Sequence, residues 1–200
     1  MLGDLFKREE RLVLKPEILT HPNIPKPLHG VAPREIMGKI WWDNERNRAY
    51  ESTGYRCIAC GVHKSEAIGP KWLEAHEYWD INYQTGICII KGIYPLCHYC
   101  HNFIHSSRLK SICGKQKTRE EVVAILEHGF GILSKNKLKC FYGTYHLARN
   151  LEAETFNVEP YESEVNPRLK WGDFKLIWEG KEYGSTFKNF EEWQRYYQNR

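Results

Sequence analysis

The pattern of apolar and polar positions predicts two strands and a helix in the middle of the chain. Residues 71–81, KWLEAHEYWDI, and residues 84–96, QTGICIIKGIYPL, have the aromatic and β-branched content of strands. Residues 97–109, CHYCHNFIHSSRL, are predicted to be helical. A strand–strand–helix unit is therefore expected between residues 71 and 109.

A helix is also predicted before this unit. Ile36, Ile40 and Trp41 recur at i, i+4 and i+5 in a segment that begins at Pro33, a residue favoured in the first turn of a helix. Gly54 is expected to close this helix, since glycine is common just after a helical C-terminus.

Two more helical segments are predicted after the central unit. Thr118 and Glu121 have the spacing of a capping box, so a helix should open there, and Gly129 is expected to end it. Residues 133–150 are predicted to be helical again.

The two ends of the chain have patterns of their own. Residues 1–15 are predicted to form a short amphipathic helix, and five of the nine prolines lie in residues 16–33, which predicts an extended arm over the body or a linker. Near the other end, a hairpin is predicted to turn at Glu179-Gly180, followed by a helix from about Asn189.

Composition limits the class of protein. A chain of 200 residues with 42% hydrophobic and 14% aromatic content can bury a core, so it is expected to be globular. No apolar run approaches the roughly 20 residues that cross a bilayer, and the first residues lack the apolar segment of an export signal. A cytoplasmic protein without a membrane partner is therefore expected. Four tryptophans of the central region are expected to be core or packing residues, with base-stacking surfaces as the alternative: Trp41, Trp42, Trp72 and Trp79.

The charge distribution is uneven and suggests a nucleic-acid partner. Residues 151–200 contain 7 Lys+Arg against 10 Asp+Glu, which leaves 22 against 15 in residues 1–150. A basic body can hold a phosphate backbone, and Arg108, Lys110 and Lys115 are the candidate contacts. The acidic end of the chain is a candidate surface for a protein partner.

The cysteines are arranged as metal ligands. Two C-x-x-C pairs are separated by 36 residues, and four thiolates in two such pairs satisfy tetrahedral zinc. Buried free cysteines are the alternative. C-x-x-C-H at residues 97–101 also matches covalent haem attachment, which the missing export signal argues against. We therefore predict a structural Zn²⁺ site with four ligands: Cys57, Cys60, Cys97 and Cys100.

Three histidines predict a second metal site. His101 and His105 are four residues apart on the predicted helix, so their imidazoles share one face. His76 lies on the preceding strand, and a strand histidine facing such a helix can complete a three-nitrogen site for a divalent metal. The alternative is that these side chains satisfy buried backbone groups or face water.

This order of motifs resembles a known family. Residues 55–106 resemble HNH endonucleases of the ββα-metal type with a zinc-knuckle frame. The resemblance lies in the order of three motifs: C-x-x-C, then a strand histidine, then C-x-x-C-H-x-x-x-H. WLEAHEYWDIN and GIYPLCHYCHNFIH resemble a group of bacterial and phage HNH-like proteins in particular. That group has a related segment before the first knuckle, here PLHGVAPREIMGKIWWDNERNRAYESTGYRC, which extends the similarity to residues 27–110. In this family two strands and a helix hold one divalent ion against a scissile phosphodiester.

The resemblance implies roles for particular residues. His101 and His105 would bind a catalytic Mg²⁺ or another divalent metal. His76 would be either the general base or a third ligand, with Glu77 then the activator of water. The chain departs from the family pattern at Ala75 and Glu77, where His-His or Asp-His is usual, and at Gly92, near which the central Asn is missing.

The expected fold is therefore α+β, with a zinc-stapled ββα-metal HNH core, flanking helices and a small C-terminal hairpin–helix appendage. Four regions are expected: an N-terminal helix and proline-rich arm (1–35), the zinc-knuckle domain (36–115), a helical extension (116–150) and an acidic linker with the appendage (151–200). The implied function is metal-dependent hydrolysis of DNA phosphodiester bonds. The alternative is a catalytically degenerate module of the same fold that binds nucleic acid or a protein.

Overall fold

The computed structural model describes residues 12–198, which form a mixed α+β fold. Six α-helices occur in this part of the chain: Pro33–Ser52 (α1), His98–Ile104 (α2), Ser106–Ile112 (α3), Arg119–Lys135 (α4), Tyr142–Asn150 (α5) and Phe190–Gln198 (α6). The strands are Glu74–Ile81 (β1), Ile87–Leu96 (β2), Cys140–Phe141 (β3), Pro160–Tyr161 (β4), Lys175–Trp178 (β5) and Lys181–Gly184 (β6).

The predicted strand–strand–helix unit is confirmed. β1 and β2 form an antiparallel hairpin in which His76 lies opposite Tyr94, and a bulge between Tyr78 and Trp79 shifts the register. α2 follows β2 directly. The predicted helix over 97–109 is divided in two, because His105 leaves the helical region with φ −84° and ψ 49°.

The C-terminal hairpin extends the same sheet. The predicted turn at Glu179-Gly180 is confirmed, and both residues have positive φ, which matches the twist of a tight hairpin. β5 pairs in parallel with β2, so the strand order is β1-β2-β5-β6. The sequence predicts a separate appendage here, whereas in the structure this hairpin completes a four-stranded sheet.

α4 is longer than predicted, and Gly129 does not end it. The capping box of Thr118 and Glu121 is confirmed, but the helix continues to Lys135. A Cβ at Gly129 would lie 2.1 Å from Cδ2 of Phe103, so glycine serves here to let α4 approach α2 closely. Residues 133–150 are therefore helical only in part, since a turn and β3 separate α4 from α5.

α1 matches its predicted limits but is not one regular helix. Gly54 follows its C-terminus with φ +57°, as predicted. Gly38 has φ 80° and ψ 174°, which breaks the helix near its start. Ile40, expected on an apolar face, is 82% exposed as a result of this break in periodicity.

The proline-rich segment packs against the body, which confirms the arm over the linker, but it is not extended throughout. It contains two short 3₁₀ helices, Pro16–Thr20 and Lys26–Leu28, whose apolar side chains are buried. Ile18 and Leu19 join the main hydrophobic core formed with α2 and α4. The amphipathic helix predicted for residues 1–15 falls largely outside the described residues, and residues 12–15 have no helical structure.

None of the helices in residues 12–198 has the length and apolar character needed to cross a membrane.

Candidate metal centres and adjoining cleft

The four predicted cysteines converge. Their sulfur atoms all lie within 4.8 Å of one another, and Cys60 Sγ is 3.9 Å from Cys97 Sγ. Zinc with Zn–S bonds of about 2.3 Å in a tetrahedron separates its sulfurs by about 3.8 Å. The arrangement therefore fits a tetrahedral thiolate site.

Local backbone structure builds this site. The N–H of Gly61 donates to the carbonyl of Cys57 at 2.8 Å, and Gly61 has φ +77°, so a glycine allows the tight turn of the first C-x-x-C. Cys97 is the N-cap of α2 and Cys100 lies in its first turn. The N–H of Ile58 donates to the carbonyl of Pro95 at 2.9 Å and ties the two halves together.

The crowding of the sulfurs favours a bound cation. Hydrogen bonds from Cys100, Cys60 and Cys97 lower the pKa of the Cys57 thiol well below its usual value. Contacts with the same group, together with burial, raise the pKa of Cys100 well above its usual value. A thiolate on one cysteine therefore disfavours deprotonation of its neighbours. A positive ion is required before all four can be deprotonated.

His128 adds a contact that the sequence analysis missed. Its Nε2 lies 3.5 Å from Cys100 Sγ, across the interface of α2 and α4. An N–H group in this position can donate to a metal-bound thiolate and stabilise its charge. Nothing in the sequence marks His128, because it lies 28 residues from Cys100 and on a different helix.

The three predicted histidines also converge. One ring nitrogen from each of His76, His101 and His105 lies within 4.8 Å of the others, and the Nε2 atoms of His101 and His105 are 3.2 Å apart. Two imidazole nitrogens on one tetrahedral zinc, at about 2.0–2.1 Å each, are about 3.3 Å apart. The geometry therefore fits a shared ion.

The surroundings of His76 support a ligand role. His76 is 2% exposed, and its Nε2 is buried with no hydrogen-bond partner among the described residues. Burial, followed by the neighbouring His105 and His101, lowers its pKa well below the usual value. Burial likewise lowers the pKa of His105 to about 3. Neutral imidazoles are the form that binds metal.

Glu74 orients His101 and His98. Its Oε2 lies 2.8 Å from His101 Nδ1, although the angle is poor for a hydrogen bond, and its Oε1 accepts a hydrogen bond from His98 Nδ1 at 2.8 Å. Burial alone would raise the pKa of Glu74, but these two contacts outweigh burial and hold the pKa well below its usual value. A carboxylate on Nδ1 leaves Nε2 for a metal.

The metals that suit the two sites follow from their donors. Four thiolates suit zinc, and three imidazoles suit zinc, nickel or a similar transition ion. Mg²⁺ prefers oxygen ligands, so the nitrogen donors do not favour it. The described residues therefore provide two sites that can hold a metal such as zinc.

A cleft of about 630 Å³ opens beside the histidines. His101, His105 and Glu77 contribute to its lining. Glu77 lies on β1 next to His76, and since side chains alternate along a strand, it points to the other face of the sheet. Burial raises its pKa. The cleft therefore runs around the free edge of β1.

Basic and aromatic side chains form the cleft walls. Arg108, a predicted nucleic-acid contact, lines the cleft together with Arg34 and Arg46 of α1. The other two predicted contacts, Lys110 and Lys115, are exposed and do not contribute to this lining.

Of the four tryptophans expected in the core, Trp41 and Trp42 are half-buried, and Trp42 lines the cleft. Trp79 is buried, with 3% exposed, as predicted for a core residue, whereas Trp72 is 60% exposed at the cleft. The expectation that Trp72 packs in the core is therefore wrong. Trp72 lies in a bend just before β1 begins at Glu74.

Comparison with known proteins identifies no relative: no family model, no curated protein and no solved structure matches this chain.

Proposed function

We propose that the protein is a metal-dependent endonuclease of the HNH type that hydrolyses phosphodiester bonds in DNA. The observation that supports this proposal most directly is the convergence of His76, on a strand, with His101 and His105, on the following helix. A ββα unit that presents three imidazoles beside an arginine-lined cleft suits a phosphodiester substrate.

The histidines would hold the ion and Glu77 would act on water. An ion bound there would polarise the phosphate and stabilise charge on the leaving 3′ oxygen. Glu77 follows His76 on β1 and lines the same cleft as His101, which makes this carboxylate the candidate general base. His76 would serve as a ligand and not as the base, because its free nitrogen is buried among the other two rings.

The arginines would position the substrate. Arg34, Arg46 and Arg108 line the same cleft as His101 and come from two different helices. Guanidinium groups bind phosphate oxygens with two parallel hydrogen bonds, so they would fix the strand on both sides of the scissile bond.

One observation favours a second function, that of a non-catalytic module that binds nucleic acid or a protein. The residue after His76 is Glu77, whose side chain alternates to the opposite face of β1 from the histidine cluster. If that carboxylate does not reach the water to be activated, the cleft would bind nucleic acid without cutting it.

Cleavage and metal binding must be measured together to test the proposal. Zinc-loaded protein is incubated with supercoiled plasmid and with circular single-stranded DNA, each with Mg²⁺, Mn²⁺, Ni²⁺ or Zn²⁺ and with EDTA as the stop. We expect cleavage, and we expect parent protein to bind one metal more than its cysteine site holds. Protein with the cysteine-bound zinc alone and no cleavage under any metal would refute the nuclease and leave the binding module.

Two variants test whether His76 is a metal ligand and whether Glu77 is the general base. His76→Ala should weaken binding of the second metal, and raised metal should partly restore cleavage. Glu77→Gln should bind the metal normally and lose about 10²- to 10⁴-fold in cleavage rate. His146→Ala is the matched control, since His146 is exposed on α5 and away from both sites. A Glu77→Gln protein as active as the parent would exclude Glu77 as the base.

A further inference from the structure

We propose that the cleft binds an unpaired nucleotide, with the indole of Trp72 as the surface on which the base stacks. The protein would then act on single-stranded DNA or on unpaired segments in preference to continuous duplex. This inference rests on the proposed function only in taking nucleic acid as the ligand of the cleft.

The exposed indole is the first reason. Trp72 is 60% exposed and lines the cleft, and an aromatic face open to a groove is a surface on which a base can stack. Trp72 lies two residues before Glu74, which contacts His101, so the indole is close in the chain to the histidine site. Trp42 and Tyr50 line the same cleft and add aromatic surface.

The charges of the cleft supply the second reason. Among residues 12–198, Arg34 and Arg46 form ion pairs with their neighbours Glu35 and Asp43, at 3.3 and 3.1 Å, and all four side chains are at least 30% exposed. Such surface pairs are weak and can give way to phosphate. Arg108 has no ion-pair partner within residues 12–198. An arginine-lined groove with aromatic side chains is the arrangement that binds single strands, because every base has a face that can stack.

The position of the histidines gives the third reason. His101 and His105 line the cleft, His101 has only 14% of its side chain exposed and His76 is buried, so the site is recessed from the surface. In a continuous duplex both faces of each base are already stacked, and no face is free for Trp72. An unpaired nucleotide offers a free face and is narrow enough to enter a cleft of about 630 Å³.

Binding by fluorescence anisotropy tests the inference. The probe is a fluorescein-labelled single strand of about 12 nucleotides, compared with its duplex at the same ionic strength, with zinc-loaded full-length protein and no second metal added. We expect tighter binding of the single strand. Trp72→Ala should weaken that binding about 5- to 100-fold and change duplex binding little, whereas Trp72→Phe should retain most of it. Tyr142→Ala, at an exposed aromatic side chain on α5, is the control.

The outcomes distinguish this inference from the nuclease proposal. Duplex bound as tightly as the single strand, or single-strand binding unaffected by Trp72→Ala, would overturn the inference even if the protein cuts plasmid. Single-strand binding that depends on Trp72 would support it even if no metal gives cleavage. Thermal melting of each variant shows whether a loss of binding reflects unfolding.

Discussion

The carboxylate of Glu74 lies 2.8 Å from Nδ1 of His101 and leaves Nε2 of the same ring to face His105. Glu74 is the first residue of β1, whereas His101 lies in α2. The contact therefore joins the hairpin to the helix at the point where the three histidines meet. If the three histidines hold a metal, Glu74 would be a positioning residue for that site.

Glu74→Gln is expected to weaken binding of the second metal about 10- to 100-fold, because the amide carries no charge to hold the imidazole and raise its basicity. Titration of zinc-loaded protein with Co²⁺ or Ni²⁺, followed by absorption spectroscopy, measures the affinity. The cysteine-bound zinc should remain at one equivalent. Glu66→Gln is the control, since Glu66 is exposed in a 3₁₀ helix. Equal metal affinity in the Glu74 and Glu66 variants would contradict the role.

Loss of a cysteine ligand is expected to remove zinc and to destabilise the fold. Cys60→Ser and Cys97→Ser should each lower zinc content and decrease the free energy of unfolding by about 4 kcal/mol or more, because the metal joins segments far apart in the chain. Elemental analysis and urea unfolding measure both effects. Cys113→Ser is the matched control, as Cys113 is a partly exposed cysteine outside the cluster. If Cys60→Ser protein unfolds like the control, the cluster does not stabilise the fold through a metal.

His128→Ala is expected to weaken zinc retention without removing zinc. Loss of the donor 3.5 Å from Cys100 Sγ should lower zinc affinity about 10-fold and shift the thiolate-to-metal charge-transfer band of Co²⁺-substituted protein. Competition with a chromophoric chelator gives the affinity. His146→Ala, an exposed histidine on α5, should leave the band where it is. An unchanged band in His128→Ala protein would show that the imidazole does not donate to the sulfur.

Local features of the fold were predictable from the sequence because their causes are local. The C-x-x-C spacing predicts ligand pairs, Thr118 and Glu121 predict a capping box, and Glu179-Gly180 predicts a hairpin turn. Each of these depends on residues within a few positions of one another.

The features that sequence analysis missed depend on contacts between distant segments. The parallel pairing of β5 with β2 joins residues almost 90 positions apart. His128 meets Cys100, and Glu74 meets His101, only after the helices and the hairpin have packed. The periodicity of apolar residues does not predict these contacts, because it depends on one helix or strand and does not reveal which residue of another element packs against it.

Gly129 is another residue whose role depends on a contact with a distant segment. Glycine usually marks the end of a helix, yet here it lies inside α4, where a Cβ would come within 2.1 Å of Phe103. Phe103 is fully buried, so its ring has no free space into which to turn. Gly129→Ala should therefore decrease the free energy of unfolding by about 1–3 kcal/mol, despite the better helix propensity of alanine.

The same helix supplies the control. Gly131 has no atom closer than 4.0 Å to an added Cβ, so Gly131→Ala should stabilise the protein by about 0.5–1 kcal/mol. Urea unfolding of zinc-loaded protein measures both changes.

Phe103 follows Cys100 and His101 on α2, so Gly129→Ala should also weaken metal binding at both sites, which Gly131→Ala should not do. Combining Gly129→Ala with Phe103→Leu should destabilise by less than the sum of the two single changes, because the smaller side chain makes room for the methyl group. A Gly129→Ala protein as stable as the Gly131→Ala protein would show that α2 and α4 do not pack as closely as described.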